Sequence, residues 1–213
     1  MVRTNQKPNR NGNAVHVRTT QPTLLPVPLN DCKSYSYITT TDDDSMLQRL
    51  ILEAAAFLED RYKCSIMRST WKLVCDGWQD PRYWIGNAIQ IARPPFGAVS
   101  SITYLDTNGD SQTLASSQYR VATDGVYGRI VPAKNVTWPT TYEVIQDITI
   151  THTAGYASQS DVPYVVRQAV KDCVDYWYNH RGTGFDQNTI IGRGILPQLD
   201  AEMGCVGAQV AYA

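Results

Sequence analysis

The chain has 213 residues, a hydrophobic fraction of 43% and a formal charge of −1. That length suits one sizeable domain or a domain with long arms, and the charge balance excludes a global demand for nucleic acid or a membrane surface. The five cysteines are odd in number, widely spaced and without a C-x-x-C, which argues against a disulfide framework or a zinc site.

The cysteines therefore read as reduced, small hydrophobes of a protein made in a cytosol. No apolar run approaches the roughly 18 residues of a spanning helix, and the N-terminus has no apolar segment of the kind a secretory signal needs. Residues 1–27 form a basic extended arm: Arg3, Lys7, Arg10 and Arg18 are present and no acid occurs before Asp31. With little to bury, residues 1–22 are predicted to be disordered alone. They are either a solvated tail or an arm that orders on a neighbouring subunit or an acidic surface. Pro22 to Pro28 makes an extended connector, and Asn30 or Asp31 is placed to cap a short helix over 29–37.

The first long helix is predicted over 44–63. Leu47, Leu50, Ile51, Ala54, Ala55, Leu58 and Tyr62 fall on one stripe at the helical period. Asp42, Asp43 and Asp44 precede it, where acids suit the positive end of the helix dipole and can cap free N–H groups. Glu59 and Lys63 are spaced for an i,i+4 pair. A metal bound by the Asp triplet is disfavoured, because adjacent residues point in different directions and no further ligands accompany them.

From Ser69 the period changes to two, and a β-rich insertion spans 69–154. Trp71, Leu73 and Cys75 alternate with Lys72, Val74 and Asp76. A strand over 85–91 leads into Arg93-Pro94-Pro95, where neither proline can donate to a ladder, so the chain must leave the sheet, bend and re-enter as Val99 to Leu105. Asn108-Gly109 signals a type I′ hairpin returning through Gln112 to Leu114. Tyr119 to Ala122, a turn at Asp124-Gly125, Tyr127 to Val131 and Ile148 to Thr151 complete roughly seven short strands. Hairpin turns of this kind imply an antiparallel sheet or small sandwich, not a βαβ array.

Asp161-Val162-Pro163 starts the second long helix, predicted over 162–181, with Val166, Ala169, Val170, Cys173, Val174 and Trp177 as its buried stripe. Its opposite face carries Arg167, Lys171, Asp172 and Asp175. Residues 183–213 are glycine-rich and hold Phe185, Ile190, Ile191, Ile195, Leu196, Leu199 and Met203. Apolar residues in such a segment either dock on another surface or pack back on the chain's own sheet.

No Ser- or Cys-nucleophile motif, metalloprotease helix or Walker loop occurs, and the three histidines stand apart. Asp106, Asn108 and Asp110 resemble the start of a calcium loop but lack its downstream Glu; a hairpin turn explains them better. The chain reads as a non-enzyme without cofactor or metal.

The order of pieces resembles the head–tail connector (adaptor) proteins of tailed bacteriophages. The resemblance runs from about Pro28 to Arg181. It comprises the acid-led helix to Arg61-Tyr62, Thr70-Trp71, Arg93-Pro94-Pro95, Ile102 to Asp106, Tyr119-Arg120-Val121, Gly128-Arg129-Ile130, Trp138-Pro139, Ile148 to Tyr156, Val162-Pro163, Arg167-Gln168-Ala169 and Trp177-Tyr178. It implies an α+β fold: a small helical bundle of two long helices and a short one, with an inserted antiparallel sheet or sandwich and extended terminal arms. Residues 28–182 are then the connector domain and 183–213 a docking tail.

The resemblance also implies a ring, typically a dodecamer, beneath the portal at a capsid vertex. Such a ring extends the DNA channel, touches DNA transiently and without sequence preference, and presents a platform for tail, stopper or nozzle proteins. The protein would reside at the head–tail junction of a virion assembled in the host bacterial cytoplasm. Arg93, Arg167, Lys171, Asp172 and Asp175 would be subunit-facing or channel-facing charges, and the apolar tail residues would dock on the portal or a neighbour. Arg93-Pro94-Pro95 would be a joint setting the sheet's angle, with Arg93 pairing to a neighbour or to its own chain. The alternatives are a stopper or tail-completion protein, and, from another class, a carbohydrate-binding or adhesion module stacking sugars on Trp71, Trp78, Trp84 and Trp138.

Overall fold

The computed structural model describes residues 15–123, 125 and 127–180. The fold is α+β, with three helices and two antiparallel sheets. Helix α1 (Leu29–Tyr35), α2 (Asp44–Tyr62) and α3 (Tyr164–Asn179) share one core: Cys32 from α1, Leu47, Ile51, Ala54 and Leu58 from α2, and Val166, Ala169, Val170, Cys173 and Val174 from α3. The stripes predicted from the helical period are the buried faces.

The helix ends depart from expectation. Pro28 occupies the cap position of α1, so Asn30 and Asp31 lie within its first turn, and Tyr37, at φ 55, ends the run short of the predicted limit. Asp43 occupies the N-cap position of α2, but no side-chain cap hydrogen bond forms there. Asp43 accepts from the Tyr178 hydroxyl at 2.6 Å and Asp44 from Lys33 Nζ at 2.6 Å, so these acids tie α2 to its neighbours. The Glu59–Lys63 pair does not form. Glu59 is buried, whereas Lys63 is left-handed at φ 51 and bonds Asp60 at 2.8 Å. Asp161 serves a short 3-10 turn over Gln159–Asp161, accepting from the Ser158 N–H at 3.1 Å, and α3 begins after Pro163.

Among the described residues nine strands form the sheets: β1 (Val15–Thr20), β2 (Ser69–Cys75), β3 (Trp84–Ile85), β4 (Ala88–Ile91), β5 (Phe96–Leu105), β6 (Ser111–Thr113), β7 (Tyr119–Ala122), β8 (Gly128–Pro132) and β9 (Ile148–Ala154). One sheet has the order β1-β2-β9-β5-β6 and the other β3-β4-β8-β7. Strand β1 corrects the expectation of disorder through residue 22: Val15–Thr20 pair with β2, from Val15 opposite Val74 to Thr20 opposite Thr70. Gly86, at φ 63, splits the strand predicted over 85–91 into the β3–β4 hairpin.

The period of two in β2 and β9 produces alternating burial, and their inward residues meet the second sheet. Leu73, Ile102, Ile148 and Ile150 pack with Ile89, Ile91 and Ile130, and Trp78 and Leu114 complete this second core. Arg93-Pro94-Pro95 lies between β4 of one sheet and β5 of the other, so the bend carries the chain from sheet to sheet. The hairpin at Asn108-Gly109 is not type I′. Gly109 alone is left-handed, at φ 87; its N–H donates to the Asp106 carbonyl at 2.9 Å, and the Asp106 carboxylate accepts from the N–H groups of Asn108 and Asp110. This is a longer loop of the turn-plus-left-handed-residue kind, in which the aspartate replaces the second positive φ.

Helices and sandwich meet at a joint built around Glu59. Its carboxylate accepts from Arg18 Nη2 of β1 and, at 2.6 Å, from the Ile66 N–H. Arg18 lies 4.5 Å above the Trp71 ring of β2, and Arg93 lies 4.2 Å from the same ring. Arg93 Nη1 donates to the Cys64 carbonyl at 3.0 Å and the Glu59 carbonyl at 3.3 Å. Backbone bonds close the seam, from the Ser65 N–H to the Pro94 carbonyl at 2.8 Å and from the Gly155 N–H to the Pro95 carbonyl at 2.9 Å. Gly155 has φ +102, and a Cβ there would sit 2.4 Å from the Met67 carbonyl oxygen, so only glycine fits. Behind the seam lie two imidazoles, His16 of β1 and His152 of β9, with ring centroids 5.9 Å apart.

Two predictions follow from this joint. Truncating one partner of a buried ion pair leaves the other charge uncompensated. Glu59→Ala should therefore lose about 3 kcal/mol or more in urea unfolding, whereas Arg49→Ala, which breaks an exposed i,i+4 pair with Glu53, should lose less than about 0.5 kcal/mol. Equal losses would remove Glu59 from its central place. The second concerns pH. Burial pushes His16 down to about 3, helped by His152 and Arg93, and pushes His152 down to about 4, helped by Arg93. Both are neutral in the fold, while the unfolded chain takes up protons below the ordinary value of 6.5. Stability should thus be level above neutrality and fall steadily from there toward about pH 4. Urea midpoints across that range check it, and His16→Phe should flatten the slope; a flat wild-type profile contradicts the assignment.

Candidate functional site

Among the described residues, no group of three His, Cys, Asp or Glu is placed to hold a metal ion. Cys32, Cys64, Cys75 and Cys173 are buried, and burial pushes each thiol up to about 12, so none is a reactive nucleophile at neutral pH. The Asp106 carboxyl is held below its usual range by the Gln112 side-chain amide, with Asn108 and Asp110 N–H groups adding to it. It is occupied by its own turn.

The four tryptophans do not make a sugar platform. Trp71 is buried at the joint, and Trp78 is buried in the sandwich core. Trp138 stacks on Trp78 at 4.4 Å with planes 3° apart, and the Trp78 indole donates to the Pro139 carbonyl at 2.9 Å. These rings staple the loop ahead of β9 onto the sandwich. The adhesion reading required the four exposed together on one face; with Trp71 and Trp78 buried and Trp84 and Trp138 packed against the sandwich core, they are not.

The predicted site residues fall into three groups. Arg3, Lys7 and Arg10, and the tail residues Phe185, Ile190, Ile191, Ile195, Leu196, Leu199 and Met203, lie outside the described residues. Arg18 and Arg93 are directed at the joint; of the two pairings open to Arg93, the one with its own chain is present, to the carbonyls of Glu59 and Cys64. Arg167, Lys171, Asp172 and Asp175 share the half-buried flank of α3.

That flank gains partners invisible in the linear pattern. The Tyr35 hydroxyl of α1 donates to Asp172, which raises the Tyr35 phenol to about 12. Lys171 Nζ lies 5.2 Å from the Tyr35 ring and 5.9 Å from the Tyr164 ring. Asp175 accepts from Asn179 at 3.0 Å. With Tyr35, Tyr37 and Tyr164 all exposed, the α1–α3 face is an aromatic patch interleaved with charges of both signs. Such surfaces, with exposed tyrosines beside charged rims, are the composition of protein interfaces. The tyrosines had no signal of their own in the sequence, because their meeting depends on how α1 packs on α3.

Two further surface features stand out. A groove of about 340 Å³ runs between the segment 21–26 and the outer side of α2. At the far end of the sandwich, the loop before β9 exposes Tyr142 and Ile145.

No curated protein sequence matches the chain. Among solved structures, a chain in the neck of an empty gene transfer agent particle, computed with C6 symmetry, superposes with a TM-score of 0.66 at 20% identity, covering 81% of this chain and 88% of that one. A chain in the virion of a native gene transfer agent particle gives 0.64 at 21% identity over 84% and 93%. One in the neck of the native particle, computed with C12 symmetry, gives 0.64 at 20% identity over 81% and 87%. At these identities the likeness is one of fold. The family profile described as "Head completion protein" matches residues 27–195, which takes in all three helices, eight of the nine strands and the first part of the segment beyond α3. The chain belongs to the head completion protein family.

Proposed function

We propose that this protein is a ring-forming head–tail connector subunit that docks beneath a portal, prolongs the DNA channel and offers a platform for tail, stopper or nozzle proteins. The observation that carries the reading is the family match over residues 27–195. The fold shared with chains of particle necks, two of them computed with sixfold and twelvefold symmetry, supports a ring, for which we take twelve copies. The place of action is then the head–tail junction of a virion assembled in a bacterial cytoplasm.

The physics of the chain suits that task. A channel must let DNA slide, and each neutralised phosphate strengthens binding and adds friction. A net charge of −1 and an α3 flank of mixed charge, with Asp172 and Asp175 beside Arg167 and Lys171, avoid a continuous basic track. The aromatic α1–α3 face is suited to packing between subunits, and the apolar segment 183–213 to docking on the portal or on a neighbour.

Imaging the purified chain mixed with its cognate portal tests the reading. The expected result is a ring coaxial with the portal; absence of association at micromolar concentration, with the fold intact by circular dichroism, overturns it. Truncation after Gly182 should leave the unfolding midpoint unchanged and abolish ring assembly on the portal. A truncated chain that fails to fold would place the tail in the chain's own core instead.

A further inference from the structure

The groove beside α2 and the loop before β9 are complementary. The groove is lined by Pro22, Pro26, Leu52, Ala55, Ala56 and Met67. Leu52 on its wall is 44% exposed, although it belongs to the central helix. At its lip Arg49 and Glu53 face each other at 3.5 Å, both more than half exposed, so the pair is easily exchanged for another.

The loop is the opposite in shape. Ile145 is 74% exposed and Tyr142 51%. Glu143 and Gln146, which flank Ile145, have φ of 62 and 60, a left-handed conformation unfavourable for residues with side chains. Such conformations persist only where surroundings impose them. Here the Glu143 N–H donates to the Asp147 carboxylate at 2.9 Å, the Gln146 N–H to the Asp76 carboxylate at 2.8 Å and the Tyr142 N–H to the Leu105 carbonyl at 3.1 Å. The loop is thus fixed before any partner arrives, and presents an aliphatic and an aromatic side chain as a rigid knob. A prearranged contact loses little conformational freedom on binding.

Knob and groove lie at opposite ends of β2. Met67 borders the groove and Asp76 anchors the knob, and nine residues of near-extended chain separate them by roughly 25–30 Å. One copy therefore cannot fill its own groove with its own knob. A closed ring is built from head-to-tail contacts, which need two different patches on every subunit. A chain that carries an apolar projection at one end and an apolar recess at the other meets that need.

We infer that Ile145 and Tyr142 of one copy seat in the Leu52–Ala56 groove of the next copy. This contact rests on the ring reading given above. Glu143 beside the knob then comes to Arg49 at the groove lip, opposite in charge, and fixes the direction in which the copies follow one another.

The test uses the full chain assembled on its portal. Cys205 is first replaced by serine, and the four described cysteines are buried thiols that do not react. Ile145→Cys together with Leu52→Cys, oxidised after assembly, should give a ladder of covalent oligomers on a non-reducing gel, while each single variant gives none. Ile145→Glu should raise the chain concentration needed for half-assembly by tenfold or more, with an unchanged unfolding midpoint because the side chain is exposed in the free subunit. A ring that forms without the ladder, or Ile145→Glu rings that form at the wild-type concentration, overturns the contact and leaves the connector reading standing. A wild-type chain that makes no ring on the portal overturns both. A ladder from Leu52→Cys alone with Cys205 restored would show the C-terminal segment in the groove, and also overturns the contact.

Discussion

One buried carboxylate sets the geometry of this molecule. Glu59 belongs to α2 by sequence, yet it bonds β1 through Arg18 and the start of the sandwich through the Ile66 N–H. A charge so placed is tolerated only with its partners present, because desolvation is costly unless paired and hydrogen-bonded. Each partner is itself held by something else. Arg18 and Arg93 flank the same Trp71 ring, and Arg93 also closes the last carbonyls at the end of α2. The angle between helices and sandwich is consequently a matter of directional bonds, not of apolar contact alone.

A second consequence concerns β1. Without it, β2 would be the sheet edge, with its N–H and C=O groups open to pairing with other chains. The strand is short and its outward Val15 and Val17 pack on nothing described, but its inward residues are Arg18 and His16. It is therefore attached by polar and aromatic ties to the joint, not by a hydrophobic face. Such a strand is an extension of the joint, and its ordering depends on the same carboxylate. The far edge of that sheet is managed differently: β6 is three residues long and wholly polar, Ser111-Gln112-Thr113.

The two ends of the sandwich have different characters for a physical reason. Near the helices the backbone is locked by interlayer bonds such as that from the Ser65 N–H to the Pro94 carbonyl, and by the close approach of Gly155 to Met67. At the other end the Trp78–Trp138 stack and Asp147 hold a loop whose apolar side chains face outward. The α1–α3 face, with Tyr35 and Lys171 interlocked, adds a third prearranged surface.

Much of the fold was legible in the residues because apolar periodicity is a local signal. The stripe from Leu47 to Leu58, the alternation through Trp71, Leu73 and Cys75, and the proline bend at Arg93-Pro94-Pro95 all report geometry a few residues wide, and the structure contains each of them. The order of those pieces was also enough to point to the family. What local pattern does not encode is which element a polar side chain meets. Glu59 was expected to reach Lys63 four residues on, and it turned inward to Arg18, 41 residues away. The side chains of the Asp triplet were expected to cap their helix; Asp43 does hold the N-cap position, but its carboxylate takes Tyr178 and that of Asp44 takes Lys33. Arg93 could pair with a neighbour or with its own chain, and only the fold showed its bonds to the end of α2, while β1 came out of an arm with just Val15 and Val17 to mark it. Sequence by itself determined the elements, their buried faces and the kinship, because the hydrophobic effect acts on every apolar residue wherever the chain goes. Only the tertiary structure decided the joint, the knob and the groove, because hydrogen bonds and ion pairs are directional and need partners that the chain brings together last.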